Sequence, residues 1–324
     1  MSTLLLDNVS RWFGNVVAVN DVTMSIGPGV TGLLGPNGAG KSTLINMMGG
    51  FLPPSSGSVT LDGEVVWRNE GMYRRIGLVP EREAMYDVVS GWEFVLANAR
   101  LHGLDDSEGA ARRAIETVHM TEAQDRDIST YSKGMKQRIK MATALVHDPP
   151  VLLLDEPFNG MDPRQRLQLM ALLQSMGDAG RTVLFSSHIL EEVERIAGNI
   201  QVMVAGRHAA SGGFREIRRL MTERPHQYTI RSDDDRALAA AIIADPSTSS
   251  VELLAAPTGS RQVARGGATT GVRDATSALH VQATDFARFV QVLPQLASRA
   301  NIRLYEVSPA DESLESVFSY LVAR

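Results

Sequence analysis

The residues best suited to chemistry cluster first between Gly35 and Ser42. Gly35-Pro36-Asn37-Gly38-Ala39-Gly40-Lys41-Ser42 places a glycine, four residues, then Gly-Lys-Ser. That spacing suits a loop whose backbone N–H groups wrap phosphates while the helix after it points its positive end at them. Lys41 is then placed to reach the outer phosphates, and Ser42 to ligate Mg²⁺. A second cluster ends the apolar run Val151–Leu154, where Asp155 and Glu156 stand side by side. On a pleated strand, neighbours point to opposite faces, so one carboxylate is expected to serve a metal and the other a water. Asp155 is the expected Mg²⁺-side residue, and Glu156 the expected general base for an attacking water.

Just before that second strand lies Tyr131-Ser132-Lys133-Gly134-Met135-Lys136-Gln137-Arg138. It resembles the signature motif of ATP-binding cassette (ABC) proteins, in the form found in export-type ATPases. Other family motifs follow in the family's order. Phe13, before Gly14, resembles the aromatic that stacks on adenine, with the adjacent Trp12 as its competitor. Asp162 resembles the D-loop aspartate, and His188 after Ser186-Ser187 the switch histidine. The resemblance spans nearly all of residues 1–212 and implies hydrolysis of ATP to ADP and phosphate, with Mg²⁺. Gly35, Asn37, Gly38, Gly40, Lys41, Ser42 and Thr43 would hold the nucleotide. Glu156, His188 and Lys41 would carry the chemistry. Ser132 and Gly134 would cap the γ-phosphate held by a second cassette, head to tail; a hydroxyl and N–H groups at a helix start form an anion site.

The chain also departs from the family pattern. Glu81 stands where the family carries a metal-sensing Gln. A carboxylate binds the cation more strongly but repels the γ-phosphate. Glu81 is expected to remain on the metal side, the bland reading being a solvated loop acid. Lys133 replaces the usual first glycine of the signature, and adds charge near phosphate or simply faces water. Met135 and Tyr131 replace the usual Gln and Leu.

These residues need a scaffold. Residues 30–34, 75–79, 151–154 and 182–186 are short apolar runs bounded by turn residues or charge, the pattern of buried parallel strands. Helical stretches at 41–48, 164–176 and 190–197 alternate with them, which argues for an α/β domain. Asp62-Gly63 between residues 58–61 and 64–67 marks a hairpin. The pattern between residues 90 and 120 is helical. The expected fold is thus an α/β P-loop cassette with a parallel-sheet core, an antiparallel β subdomain and a helical subdomain over residues 1–212. A linker at 213–226, with Arg215, Arg218, Arg219 and Arg224, leads to a small C-terminal domain at 227–324. Its βαββαβ order predicts a split-βαβ fold, which by resemblance to export-type ATPases serves regulation or dimerisation. Residues 255–278, rich in Gly, Thr, Ala and Arg, are expected to form a long mobile loop or an extended hairpin tip. Glu312 to Phe318 resembles the C-terminal extension of drug-export ATPases.

Composition narrows the function class. Two domains' worth of chain contains 0 Cys, which excludes disulfides, iron–sulfur clusters and cysteine-bound zinc. Its 32 basic residues against 37 acidic give a net charge of -5, against a general nucleic-acid binder. No apolar run approaches the ~18–20 residues that span a bilayer, and the start at Met1 has no basic n-region. The expected location is cytoplasmic, peripheral on the inner face of the membrane, beside a separate permease chain and a second cassette in a homo- or heterodimer. By resemblance, residues 84–89 and a helix at 92–101 would dock the permease, with Trp92 and Phe94 as anchors or core. The alternative reading is a soluble cassette ATPase of DNA repair or translation. Repair types usually add coiled coils or cysteine-bound zinc, and translation types two cassettes per chain; this chain has neither zinc ligands of that kind nor a second phosphate loop.

Overall fold

The computed structural model describes residues 2–82, 85–213, 217, 226–255 and 277–309. It divides into two compact units, one containing the described residues up to 217 and the other those from 226 onward. In the first unit, β1 (Leu4–Phe13) and β2 (Val16–Ile26) form an antiparallel hairpin, followed by β3 (Gly29–Leu34) and helix α1 (Lys41–Met48). Next come β4 (Ser56–Leu61), β5 (Glu64–Val65), β6 (Ile76–Val79), α2 (Gly91–Leu101), α3 (Ser107–Thr117) and α4 (Lys133–Leu145). The unit continues with β7 (Val151–Leu154), α5 (Pro163–Asp178), β8 (Thr182–Ser187), α6 (Leu190–Ile196), β9 (Asn199–Val204) and β10 (Arg207–Gly212).

Two sheets result. The larger has the order β10-β9-β3-β8-β7-β6, with β9, β3, β8, β7 and β6 parallel and β10 antiparallel at one edge. Every residue of β7 and β8 is buried, which is why residues 151–154 and 183–185 read as continuous apolar runs rather than alternating ones. The smaller sheet, β2-β1-β4-β5, is antiparallel. Its β4–β5 turn has positive φ at both Asp62 (52°) and Gly63 (85°), as a two-residue hairpin of that hand requires. Leu44, Met47 and Met48 of α1 share one core cluster with Leu4 and Leu61 of the small sheet and Leu33, Val151 and Leu184 of the large one. Burial from both sides fixes the helix that follows the phosphate loop, so the loop is anchored at a rigid base.

The consequence for function is positional. The phosphate loop leaves β3, Glu81 follows β6, Asp155 and Glu156 follow β7, and His188 follows β8. β6, β7, β8 and β3 are parallel neighbours, so all four segments emerge at the carboxyl end of one sheet, where α/β folds place ligands.

The second unit contains β11 (His226–Ser232), α7 (Asp235–Ile243), β12 (Thr248–Ala255), β13 (Ser277–Ala283), α8 (Phe286–Arg299) and β14 (Leu304–Pro309). Its sheet order β12-β13-β11-β14 is antiparallel throughout, the split-βαβ arrangement expected from the element order. Ile230, Leu279 and Val281 on one sheet face pack with Leu238, Ile242, Phe289 and Leu293 of the two helices. His226 belongs to β11, so the strand begins inside the segment expected as linker. Arg215, Arg218, Arg219, Arg224, residues 256–276 and the stretch from Glu312 to Phe318 lie outside the described residues.

Candidate nucleotide site

The phosphate loop is shaped by glycines that nothing else replaces. Gly40 has φ 95°, and a Cβ there would sit 2.4 Å from the Ala18 carbonyl oxygen; a Cβ on Gly35 would sit 2.3 Å from that of Met203. Gly40 is also the N-cap of α1 and offers no side-chain cap, so the first N–H groups of the helix keep their capacity for an anion. Helices α2, α4 and α5, in contrast, are capped by Ser90, Ser132 and Asp162. Asn37 and Gly38 are exposed at the loop tip, and Ser42 and Thr43 are half-buried in the first helical turn. Lys41 is buried and folds over the loop, donating to the carbonyl oxygens of Gly35 (2.7 Å) and Pro36 (3.2 Å).

The two carboxylates after β7 are held by one hydroxyl. Ser186 Oγ donates to Asp155 Oδ1 (2.7 Å) and accepts from the backbone N–H of Glu156 (2.8 Å). Both carboxylates are buried. The two carboxylates do have separate partners, but strand pleating is not the cause: β7 ends at Leu154, and Glu156 adopts φ 47°. The turn beyond the strand, rather than the strand's alternation, directs the side chain. Glu156 Oε2 lies 3.0 Å from His188 Nδ1, and Oε1 lies 3.4 Å from Lys41 Nζ with no hydrogen bond of its own. Lys41, Glu156 and His188 are therefore one contiguous group drawn from three elements. A buried carboxylate oxygen with unused lone pairs, between an ammonium and an imidazole, is suited to take a proton from water.

The donor set suits a hard divalent cation held mostly by phosphates. Ser42 and Asp155 supply oxygen, and among the described residues no three His, Asp or Glu groups form a metal cage. A hydroxyl and a carboxylate oxygen are the hard donors that Mg²⁺ takes beside the phosphates of a nucleotide. Glu81 is exposed after β6, yet it lines a cleft of about 190 Å³ together with Lys133, Gln137, Lys140, Glu156 and Gly160. The buried Lys140 of α4 donates to the carbonyl oxygens of Pro80 (2.7 Å) and Glu81 (3.2 Å), pinning this loop.

The signature residues occupy the start of α4. Ser132 Oγ accepts from the Met135 N–H at 3.3 Å, so the helix-cap role is real, while its hydroxyl proton is left to donate outward. A Cβ on Gly134 would lie 1.9 Å from Gln165 Oε1, so its glycine admits the α5 side chain that covers it. Asp162 caps α5 by accepting from the Gln165 N–H (2.9 Å). Tyr131 is buried, and its hydroxyl donates to the Ala123 carbonyl (2.7 Å). Phe13 is 47% exposed at the end of β1, with the Arg11 guanidinium 4.7 Å from its ring centre. Trp12 is equally exposed, and strand alternation turns it to the other face.

Sequence reasoning did not single out Ser186, Glu192, Lys140 or Arg166. Ser186 and Ser187 were visible only as neighbours of the histidine. Glu192 is buried and takes hydrogen bonding from Ser187 Oγ (2.7 Å). Burial holds its carboxyl above the usual range, opposed by that hydrogen bond and by Arg166.

Comparison with known proteins fits this geometry. The family model described as ABC transporter matches residues 19–159. The linearmycin resistance ATP-binding protein LnrL of Bacillus subtilis (strain 168) is 36% identical over 213 residues, covering 64% of this chain and 68% of that protein. The chain belongs to the ABC transporter family. It is an ATP-binding cassette and an ATPase. The bacitracin transport ATP-binding protein BcrA of Enterococcus faecalis is 30% identical over 319 residues, covering 98% of this chain and 95% of the relative, so that similarity runs through the second unit as well. Among solved structures, one titled as the ATP binding subunit of an ABC transporter superposes with TM-score 0.61 at 28% identity, covering 67% of this chain and 92% of the other. Among the described residues, no helix is long and apolar enough to cross a membrane.

Proposed function

We propose that this cassette is the ATP-hydrolysing subunit of an exporter, driving substrate through a separate permease by ATP-dependent head-to-tail pairing with a second cassette. The observation that carries the reading is the Lys41–Glu156–His188 group at the carboxyl end of the parallel sheet. Glu156 takes the proton of the attacking water. His188 holds Glu156 and senses the γ-phosphate. Lys41 exchanges its loop carbonyls for the phosphates when ATP enters. Gly35, Asn37, Gly38, Gly40 and Thr43 cradle the nucleotide, and Phe13 stacks on the base by its face away from Arg11. Ser42 and Asp155, with Glu81 alongside, would hold Mg²⁺, which would supply charge neutralisation at the phosphates. Ser132 and Asp162 would face the nucleotide of the second cassette, and Gly134 would join them once the Gln165 side chain that covers it moves aside.

Export is supported by the relatives named for linearmycin resistance and bacitracin transport. Docking of a permease, which would keep the chain at the inner face of the membrane, is supported by Tyr86 and Val88, whose side chains are 73% and 88% exposed. Trp92 and Phe94 are half-buried on α2. We assign the second unit, from 227 onward, to regulation or dimerisation. The test is ATP-driven assembly: the Glu156→Gln protein, given Mg²⁺ and ATP, should elute as a dimer on size exclusion, and the wild type as a monomer once its ATP is spent. A monomeric variant that hydrolyses ATP normally sinks the proposal.

A further inference from the structure

Glu192 is a buried carboxylate that the hydrolytic group does not itself use. It lies on α6, four residues after His188. Its Oε2 accepts from Ser187 Oγ at 2.7 Å, and Ser187 Oγ in turn accepts from the Ile189 N–H at 3.0 Å. Ser187 and Ile189 bracket His188, so a single hydroxyl closes a small turn around the histidine; the hydroxyl proton has two acceptors within reach, Glu192 Oε2 at 2.7 Å and the Ile189 carbonyl oxygen at 3.4 Å, and the shorter, charge-assisted contact to Glu192 is the stronger. The other oxygen, Oε1, pairs with Arg166 Nη1 of α5 at 3.4 Å. Helix α5 is capped by Asp162, whose carbonyl accepts from the Arg166 N–H (3.0 Å), and its Gln165 covers Gly134. The carboxylate thus joins the histidine turn to the helix that carries the D-loop aspartate. The groups acting on it are Ser187, Arg166, Glu156 and His188. Burying a charge here is costly without such partners, and an apolar residue would fill the same space more cheaply.

We propose that Glu192 is a positioning residue, holding His188 against Glu156 and tying that placement to α5 and Asp162. The proposal rests on the reading of Glu156 and His188 as the hydrolytic pair. Displacing a catalytic partner by a fraction of an ångström lowers turnover while leaving substrate contacts intact.

The experiment compares steady-state ATPase kinetics of the full chain with E192A, E192Q, S187A, R166M and the E192A/S187A double variant. E192A should lower kcat roughly 10- to 100-fold and leave KM for ATP within about 2-fold. E192Q, which keeps an acceptor for Ser187, should retain more activity than E192A. S187A should resemble E192A, and the double variant should be no worse than either, because both remove the same link. R166M should lower kcat in the same sense with KM unchanged. The ring signal of His188 in NMR, identified by its loss in H188A, should move in E192Q and S187A. If E192A fails to fold, E192Q and S187A carry the test. Wild-type kcat in E192Q and S187A with an unmoved His188 signal overturns the proposal, as does additive loss in the double variant. An H188A protein with normal turnover overturns the reading beneath it; impaired H188A with normal Glu192 variants overturns only the positioning role.

Discussion

Glu156 and His188 meet across 3.0 Å, although 32 residues separate them in the chain. The contact exists because β7 and β8 are adjacent parallel strands and both residues follow the same ends. It implies unequal effects of substitution. Glu156→Gln keeps the size and the Lys41 neighbourhood but loses the base, so kcat should fall about 10²- to 10⁴-fold while ATP still binds. His188→Ala should also lower kcat, by removing the group that holds the carboxylate. Single-turnover hydrolysis together with nucleotide binding checks both; weakened binding with an unchanged hydrolytic rate contradicts the assignment.

Ser186 is the second point of leverage. One fully buried hydroxyl serves both Asp155 and the Glu156 backbone. Ser186→Ala leaves a buried carboxylate oxygen and an N–H short of a partner, at a cost of about 1–3 kcal/mol. Thermal unfolding should register that loss. The Mg²⁺ concentration giving half-maximal ATPase should rise as well, since Asp155 is no longer oriented. Ser186→Thr, which retains the hydroxyl, should recover more of the metal response than Ser186→Ala. Equal Mg²⁺ curves for all three proteins would falsify this role.

The sequence was most legible where chemistry demands fixed spacing. The phosphate loop, the carboxylate pair and His188 were found from residue type and order, and the buried strands from their apolar runs. Helix α1 spans Lys41–Met48 as expected, because a phosphate loop must end in a helix and Gly49 and Gly50 close it. What was illegible depends on contacts across the sheet. Ser186 looks like any strand-end serine until β7 lies beside β8. Glu192 looks like a solvated helix acid until α5 brings Arg166. Lys140 was hidden within an otherwise amphipathic helix, and only the carbonyls of Pro80 and Glu81, in the loop after β6, reveal its purpose. The placement of Glu156 was not legible, because strand alternation ends at Leu154 and a positive-φ turn residue takes over.

Tyr131 shows how a departure from the family pattern is accommodated. Its hydroxyl bonds the Ala123 carbonyl, and a Cβ on Gly91 would lie only 2.3 Å from that hydroxyl oxygen. The tyrosine therefore depends on glycine at the first position of α2, despite the helix-propensity cost of roughly 1 kcal/mol relative to alanine. Gly91→Ala should destabilise the first unit, because the ring has to move and the Ala123 carbonyl loses its donor. Tyr131→Leu alone should also destabilise, through a void and the same orphaned carbonyl. Together they should cost less than the sum, since leucine makes room for the alanine. Denaturant unfolding of the four proteins tests the coupling; strict additivity argues against it.

Acid sensitivity should arise at the stacked rings of His102 and His147, whose centres are 3.9 Å apart. Burial, and then the neighbouring His102, lower the His147 pKa to about 4, from the ordinary value of 6.5. His102 is lowered in the same direction, by burial and by Arg74. Above pH 6.5 both histidines are neutral in the folded and unfolded chains, and their contribution is intact. As pH falls from 6.5 towards 4, the unfolded chain takes up protons that the folded one refuses, so stability falls. Below about 4 His147 also protonates in the folded state, and its contribution to the decline stops. Discounted for partial exposure, the loss from His147 is about 1–2 kcal/mol. Replacing His147 with Asn removes the titrating group, so the melting temperature should decline less between pH 6.5 and 4 than in the wild type. Asp148 and Arg74 remain in place in that variant, which isolates the imidazole as the cause. An unchanged acid limb would assign the sensitivity to other groups.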